Sequence, residues 1–149
     1  MSERLSTVIE RRIAGTLYRR LSASEPVGVG VDLVEIDPFR AKCEGNDDLV
    51  SQLFTSAELD YAVSRKRPWL PMAARFAAKE ALFKALGTGL TDGLSWLDVE
   101  VTRDEAGEPG LALSGGAARR AEAMGFRRFA VTLSHGRQYA VAVVLAVEP

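Results

Sequence analysis

The chain has 149 residues, of which 47% are hydrophobic and 26% charged, which is typical of one globular domain with a sizeable core. Nineteen basic and twenty acidic residues leave a formal net charge of −1, so no global field indicates nucleic acid or an anionic membrane as a partner. The lone cysteine, Cys43, excludes an intrachain disulfide and a multi-cysteine zinc site. With neither a spanning apolar run nor a secretory signal in residues 1–24, a cytoplasmic protein is expected.

Residues 1–24 predict an amphipathic helix that precedes a single domain at 25–149. Its apolar residues recur every four positions, with five arginines among them: Leu5, Ile9, Ile13, Leu17 and Leu21. We expect this extension to dock on its own domain or on a neighbouring chain. An organelle-targeting segment is less favoured, because Glu3 and Glu10 interrupt the basic character.

Residues 27–36, VGVGVDLVEI, predict a strand that ends at Pro38. Period two places the valines on one face and Gly28, Gly30 and Asp32 on the other. Because the two glycines have no side chains, a ligand could bind against this face of the strand. Alternatively, they could let a helix pack closely while Asp32 lies at the solvated end of the strand. From these residues alone the packing interpretation is favoured.

The middle of the chain predicts helices. The polar segment that runs to Leu53 is compatible with a loop or a short helix. Thr55 and Glu58 have capping-box spacing and predict a helix over 56–66. Pro68 and Pro71 then break the chain before a strongly apolar helix in RFAAKEALFKALGTG, residues 75–89, which the glycines end.

The remaining third predicts two hairpins around one helix. LSWLDVEV and GLALS form the first hairpin, GGAARRAEAMG is a short helix, and RRFAVTLS and YAVAVVLAV form the second hairpin. Helices and strands are mixed without regular βαβ alternation. The pattern therefore predicts an α+β domain.

Glu80 interrupts the apolar pattern of the 75–89 helix, because it lies between Phe76 and Phe83 on one face. Lys84 follows one turn later and could form a surface ion pair with it, while Arg75 and Lys79 make a second basic pair. Since apolar residues cover most of this helix, a carboxylate there would be costly without a cation. Asp32 and Glu80 together are compatible with a magnesium site for a phosphate-bearing substrate, although their spacing does not show that they meet.

Two further features have a structural and a functional interpretation. The Gly87-Thr88-Gly89 segment could present amides and a hydroxyl to an anion, but it is more often a plain helix C-cap. His135, the only histidine, could be an ordinary turn residue. One histidine cannot make a histidine-rich metal site, and no G-x-S-x-G elbow is present.

Five segments together resemble the holo-acyl-carrier-protein synthase group of 4′-phosphopantetheinyl transferases. They are GVGVDLVEI, FTSAELDYA, ARFAAKEALFKALGTG, SWLDVEV with GEPGLALSG, and TLSHGRQYAVAVVL, in order from about residue 27 to residue 147. The resemblance implies transfer of phosphopantetheine from coenzyme A to a carrier-protein serine, with release of adenosine 3′,5′-bisphosphate. It also implies an α+β fold with an antiparallel sheet and packed helices, and a homotrimer that holds coenzyme A between adjacent subunits.

The resemblance also implies residue roles. Asp32 and Glu80 would bind Mg²⁺, Lys84 would contact the pyrophosphate, and Glu80 or a metal-bound water would be the base. Ser134 and His135 resemble the residues that hold the ribose 3′-phosphate. The other expected coenzyme A contacts are Arg75, Gly87, Thr88 and Gly89.

The chain departs from the family pattern in three places. Asp37-Pro38, with Arg40 just beyond, stands where basic residues usually meet an acidic carrier helix, and S-H-G replaces S-H-E or S-H-D. Residues 1–24 have no counterpart in the minimal pattern. The alternatives are a coenzyme A-binding module without transferase activity and, less favoured, a magnesium-dependent phosphoesterase.

Overall fold

A computed structural model describes residues 27–89 and 93–148. Its strands are β1 (Val27–Glu35), β2 (Val99–Arg103), β3 (Pro109–Leu113), β4 (Arg128–His135) and β5 (Tyr139–Val147). Its helices are α1 (Ile36–Cys43), α2 (Asp47–Leu53), α3 (Ser56–Val63), α4 (Trp69–Ala85) and α5 (Gly115–Ala123), with a 3₁₀ turn at Trp96–Asp98. The helix predicted within 1–24 lies outside the described residues.

The strands form two antiparallel sheets. β5 is central in a three-stranded sheet of order β1-β5-β4, and β2 pairs with β3. Both predicted hairpins are present, and β1 joins the second of them by pairing with β5 along its whole length. The predicted α+β class with an antiparallel sheet and packed helices is confirmed.

Three predicted boundaries were wrong. Pro38 lies in the first turn of α1, and Pro71 lies in the first turn of α4, which begins at Trp69. Proline is tolerated there because the first amides of a helix have no intrahelical acceptor. α3 ends at Val63, earlier than predicted. The segment up to Leu53, which the sequence left as a loop or a short helix, contains two short helices.

Helix α4 packs closely on β1 because that face of the strand has no side chains at two positions. A Cβ on Gly30 would overlap the Ala81 carbonyl of α4, and one on Gly28 would overlap the Ala85 carbonyl. The packing interpretation of these glycines is therefore confirmed, and they leave no space for a ligand. This contact brings Asp32, two residues further along β1, within hydrogen-bond reach of Lys84 of α4.

A buried ion pair holds the other side of α4. Lys79 Nζ donates to Glu58 Oε1 at 2.6 Å, and both side chains are fully buried. The same ammonium donates to the carbonyls of Leu53 at 2.7 Å and Trp96 at 3.1 Å. Glu58 also accepts from the amides of Thr55 and Val101, at 2.9 and 3.1 Å. This network joins α4 to α2, to α3 and to the β2 hairpin.

The outer face of the three-stranded sheet is apolar, and no other element of the described residues covers it. Along β1, Val29 is 48% exposed, Val31 54% and Leu33 61%. They pair with Leu145, Val143 and Val141 of β5. Contiguous exposed apolar surface of this kind is typical of an interface.

Candidate active site

The structure brings Asp32 and Glu80 together. Asp32 comes from β1 and Glu80 from α4, and both line one cavity of about 420 Å³. Lys84, one helical turn after Glu80, donates from Nζ to Asp32 Oδ1 at 2.8 Å and to the Val31 carbonyl at 3.0 Å. Two carboxylates and an ammonium therefore converge from residues about fifty positions apart in the sequence.

The two carboxylates interact electrostatically. Burial raises the pKa of Glu80, and the charge of Asp32 raises it further, while Lys84 acts in the opposite direction. The apolar walls explain the burial, since Phe76 and Trp96 line the cavity with their rings 5.1 Å apart. Glu80 therefore ionises less readily than an ordinary glutamate as long as no further cation is present.

This donor set fits Mg²⁺. Magnesium in proteins commonly takes one or two carboxylates and completes its shell with substrate phosphate oxygens and water. No cluster of three or more His, Cys, Asp or Glu side chains with metal-site geometry occurs in 27–89 or 93–148. Asp32 and Glu80 would therefore be two protein ligands, and the mutual repulsion that raises the pKa of Glu80 would be relieved by the ion.

Replacing Glu80 with glutamine is expected to raise the melting temperature of the metal-free protein near neutral pH. A glutamate with a raised pKa in the folded state binds protons more tightly there than in the unfolded state, so its ionisation lowers stability as pH rises. Glutamine removes this cost. Thermal melts in chelator should show a difference that shrinks in mildly acid buffer, and added Mg²⁺ should stabilise only the wild type. An E80Q variant that melts below the wild type in chelator would contradict this expectation.

A second cavity, of about 430 Å³, is strongly basic. The Arg75 guanidinium is buried and lies 4.0 Å from the centre of the Tyr61 ring, and Nε of Arg75 has no acceptor among the described residues. Burial lowers the pKa of Arg75. The basic residues and the histidine that line this cavity are Arg65, Lys66, Arg67, Arg75, Arg103 and His135. Such a lining, with an unpartnered buried donor, is suited to an anion.

The other residues predicted to contact coenzyme A do not all line the same cavity. His135 lines the basic cavity with Arg75, whereas Ser134 precedes it on β4, and successive strand residues point to opposite faces. Gly87, Thr88 and Gly89 line neither cavity. They follow α4, where Gly87 has φ +65° and the Thr88 amide donates to the Phe83 carbonyl at 2.9 Å. The C-cap interpretation of this segment is confirmed.

Two features of the structure were not predicted from the sequence. Arg75 and Lys79 were predicted to be a basic pair, but both are buried and have separate partners, Tyr61 and Glu58. The Glu58 capping box was predicted and is present, yet its second role as the counter-ion of Lys79 was not. Glu58 and Lys79 are 21 positions apart, and no local pattern links them.

Comparison with known proteins identifies the family of this chain. The family described as the 4′-phosphopantetheinyl transferase superfamily matches residues 28–144. This chain belongs to that superfamily. The match spans both carboxylates, Lys84 and the residues that line the basic cavity.

Curated relatives in this superfamily are named holo-[acyl-carrier-protein] synthase. The protein from Geobacter sulfurreducens is 45% identical over 123 residues, covering 82% of this chain and 98% of the relative. The protein from Streptomyces griseus is 46% identical over 120 residues, covering 80% and 97%.

Solved structures with similar sequences agree with the fold. The coenzyme A complex of the synthase from Chronobacterium ammoniagenes has a TM-score of 0.74 at 30% identity and covers 83% of this chain and 98% of that one. The Bacillus anthracis synthase in complex with coenzyme A (3′,5′-ADP) has a TM-score of 0.68 at 31% identity, covering 82% and 96%. In the part of this chain that the structure describes, no helix has the length and apolarity to cross a bilayer.

Proposed function

We propose that this protein is a holo-acyl-carrier-protein synthase. It transfers the 4′-phosphopantetheine group of coenzyme A to a serine of an apo acyl or peptidyl carrier protein and releases adenosine 3′,5′-bisphosphate. The observation that carries the proposal is that Asp32 and Glu80 line one cavity while Lys84 donates a hydrogen bond to Asp32. The names of the relatives and the coenzyme A complexes of similar structures support the same reaction.

Asp32 and Glu80 would hold Mg²⁺ at this cavity. When bound, the ion supplies charge stabilisation to the phosphate that is transferred. Asp32 is positioned for this role by β1, whose glycines fix it against α4, and Glu80 by the rigid interior of α4. Holding both groups on packed elements removes reorganisation cost from the reaction.

Lys84 would neutralise charge on the leaving pyrophosphate oxygen. Its side chain is 53% exposed and already contacts Asp32, so it can turn from that carboxylate towards a phosphate without a large conformational change. The carrier serine must also lose its proton. Among the described residues of this site, Glu80 is the candidate acceptor, because its carboxylate lines the cavity that the serine would enter.

The basic cavity would hold the 3′-phosphate of coenzyme A through Arg75 and His135. The unpartnered Arg75 Nε and the surrounding cations support this assignment. Replacing His135 with asparagine is expected to raise the KM for coenzyme A about tenfold and to leave the KM for dephospho-coenzyme A unchanged, since only the former has that phosphate. Gln138→Ala, in the neighbouring turn, is the control. Equal effects on both substrates would place the 3′-phosphate elsewhere.

The assembly would be a homotrimer with the transferase domain at 25–149 and residues 1–24 as an extension. Val29, Val31 and Leu33 offer an apolar face for self-association. Arg75 and Glu80 lie about 140° apart around α4 and line separate cavities. One coenzyme A molecule would then contact the basic cavity of one copy and the Asp32–Glu80 cavity of a neighbouring copy, which favours binding between two copies. The family match, which begins at residue 28, supports the division at the N-terminus.

The test is a mass measurement. Incubation with coenzyme A, Mg²⁺ and an apo carrier protein should raise the mass of the carrier by one phosphopantetheine group. Chelation of Mg²⁺ should abolish the shift. Tight coenzyme A binding with no modification of fatty-acid, polyketide or peptide carriers would instead identify a binding module, and release of inorganic phosphate would identify a phosphoesterase.

A further inference from the structure

One aromatic ring in the basic cavity contacts three cations. The Tyr61 side chain lies on α3, and the guanidinium carbon of Arg75 is 4.0 Å from the centre of its ring. The corresponding distances are 4.6 Å for Arg65 and 4.9 Å for Arg103. All four residues line the cavity of about 430 Å³. A cation within about 6 Å of a ring centre is attracted by the negative face of the ring, so Tyr61 interacts with three arginines of this cavity at once.

The three arginines come from different parts of the fold. Arg65 follows α3, Arg75 lies within α4, and Arg103 is the last residue of β2. No local sequence pattern brings these side chains together. The Tyr61 ring is therefore the point at which charges from a loop, a helix and a strand meet.

These three cations have no carboxylate partner. Among the residues that the structure describes, no acidic oxygen lies within 4.0 Å of any of the three guanidiniums. Burial lowers the pKa of Arg75, Tyr61 opposes that shift, and the charge of Arg103 adds to it. Like charges gathered in this way repel one another, and the Tyr61 ring offsets part of that repulsion.

Contact with the ring leaves arginine donors available to a ligand. A guanidinium is planar and stacks on a ring through its face, whereas its five N–H groups lie in the plane. Nε of Arg75 is buried and, in the described part of the chain, has no acceptor. An anion in the cavity can therefore accept from these donors while the ring keeps its contacts.

Ordering the arginines before a ligand arrives lowers the cost of binding an anion. Arg65 and Arg103 are exposed, and long exposed side chains lose rotamer freedom when they converge on one group. A tyrosine has only two side-chain torsions, and Tyr61 is half-buried. The ring therefore orders the arginines at a small entropic cost of its own.

We propose that Tyr61 is a positioning residue for coenzyme A: its ring holds Arg65, Arg75 and Arg103 in place to receive the 3′-phosphate. Tyr61 acts through the arginines and not by contact with the ligand. The proposal rests on the function proposed above, and it adds a residue that determines selectivity for coenzyme A over dephospho-coenzyme A.

The test compares the binding of two nucleotides by titration calorimetry, without a carrier protein and without turnover. Adenosine 3′,5′-bisphosphate has the 3′-phosphate, and adenosine 5′-monophosphate lacks it. Tyr61→Leu removes the ring and is expected to weaken binding of the bisphosphate about tenfold and to leave binding of the monophosphate unchanged. Tyr61→Phe keeps the ring and should bind both nucleotides as the wild type does. Val63→Ala, at an exposed position of the same helix, is the control.

A double-mutant cycle separates positioning from a general loss of structure. Arg65→Gln, at an exposed position, should weaken binding of the bisphosphate about threefold in the wild type. It should have almost no effect in Tyr61→Leu, because without the ring Arg65 is no longer held at the cavity. Thermal melts without nucleotide monitor folding, and Tyr61→Met replaces Tyr61→Leu if the latter is unfolded.

Four results would overturn the proposal. Wild-type affinity for the bisphosphate in Tyr61→Leu would show that the ring is not needed, and equal losses for both nucleotides would show that it contacts the nucleoside. A loss in Tyr61→Phe equal to that in Tyr61→Leu would assign the effect to the hydroxyl group. Additive effects of Tyr61→Leu and Arg65→Gln would show that the ring does not position that arginine.

His135→Asn distinguishes this failure from a failure of the proposed function. If His135→Asn weakens binding of the bisphosphate and Tyr61→Leu does not, the role of Tyr61 alone is wrong. If neither variant weakens it, the 3′-phosphate binds elsewhere, and the assignment of the basic cavity is wrong as well. A protein that shows the expected nucleotide affinities but modifies no carrier would contradict the transferase function alone.

Discussion

Replacing Lys79 with methionine is expected to destabilise the fold by about 3–5 kcal/mol. The change leaves the Glu58 carboxylate buried without its counter-ion and removes the donor from the carbonyls of Leu53 and Trp96. Urea denaturation should show a lower midpoint at an unchanged m-value.

The double variant Glu58→Gln/Lys79→Met tests the cause. Glutamine removes the unpaired charge and retains one oxygen acceptor for the amides of Thr55 and Val101. The double variant should be more stable than the sum of the two single effects predicts, with a coupling of about 0.5–3 kcal/mol. Lys42→Met, at an exposed position of α1, is the control. Additive single effects would show that the pair does not act as a unit.

Asp32→Asn and Glu80→Gln are each expected to lower carrier modification about a thousandfold or more. A divalent ion contributes several kcal/mol of charge stabilisation to a reacting phosphate, and each 1.36 kcal/mol is a factor of ten in rate. The carrier mass assay at saturating coenzyme A and Mg²⁺ measures the loss.

The matched control is Glu35→Gln, which alters another carboxylate that lines the same cavity. It should retain near wild-type turnover if Asp32 and Glu80 alone hold the ion. Full activity in either Asp32→Asn or Glu80→Gln would remove that residue from the site.

The sequence predicted the parts of the site that break a local pattern. Glu80 interrupts an apolar helix and Asp32 follows two glycines on one face of a strand, and the structure brings both to one cavity. The Thr55–Glu58 capping box and the glycine C-cap after α4 were also predictable, because their hydrogen bonds join neighbouring residues. Features of this kind can be predicted because the residues that form them are only a few positions apart in the sequence.

Long-range partnerships could not be predicted in the same way. In the sequence, Lys79 looks like one member of a basic pair, and nothing indicates that the fold buries it beside Glu58. The spacing between Tyr61 and Arg75 likewise gives no indication that their side chains are in contact. Pro38 and Pro71 predict breaks in the sequence pattern, although each lies where a helix tolerates proline. The α+β class was predicted correctly because hairpins and amphipathic segments are local features.

The most direct test is the binding of Mn²⁺, as a paramagnetic substitute for Mg²⁺, to the protein saturated with coenzyme A. If Asp32 and Glu80 share one ion with the substrate phosphate, the wild type should bind one tightly held Mn²⁺ per chain. Asp32→Asn and Glu80→Gln should each lose that ion while still binding coenzyme A through the basic cavity. Wild-type Mn²⁺ affinity in both variants would contradict the assignment of this site.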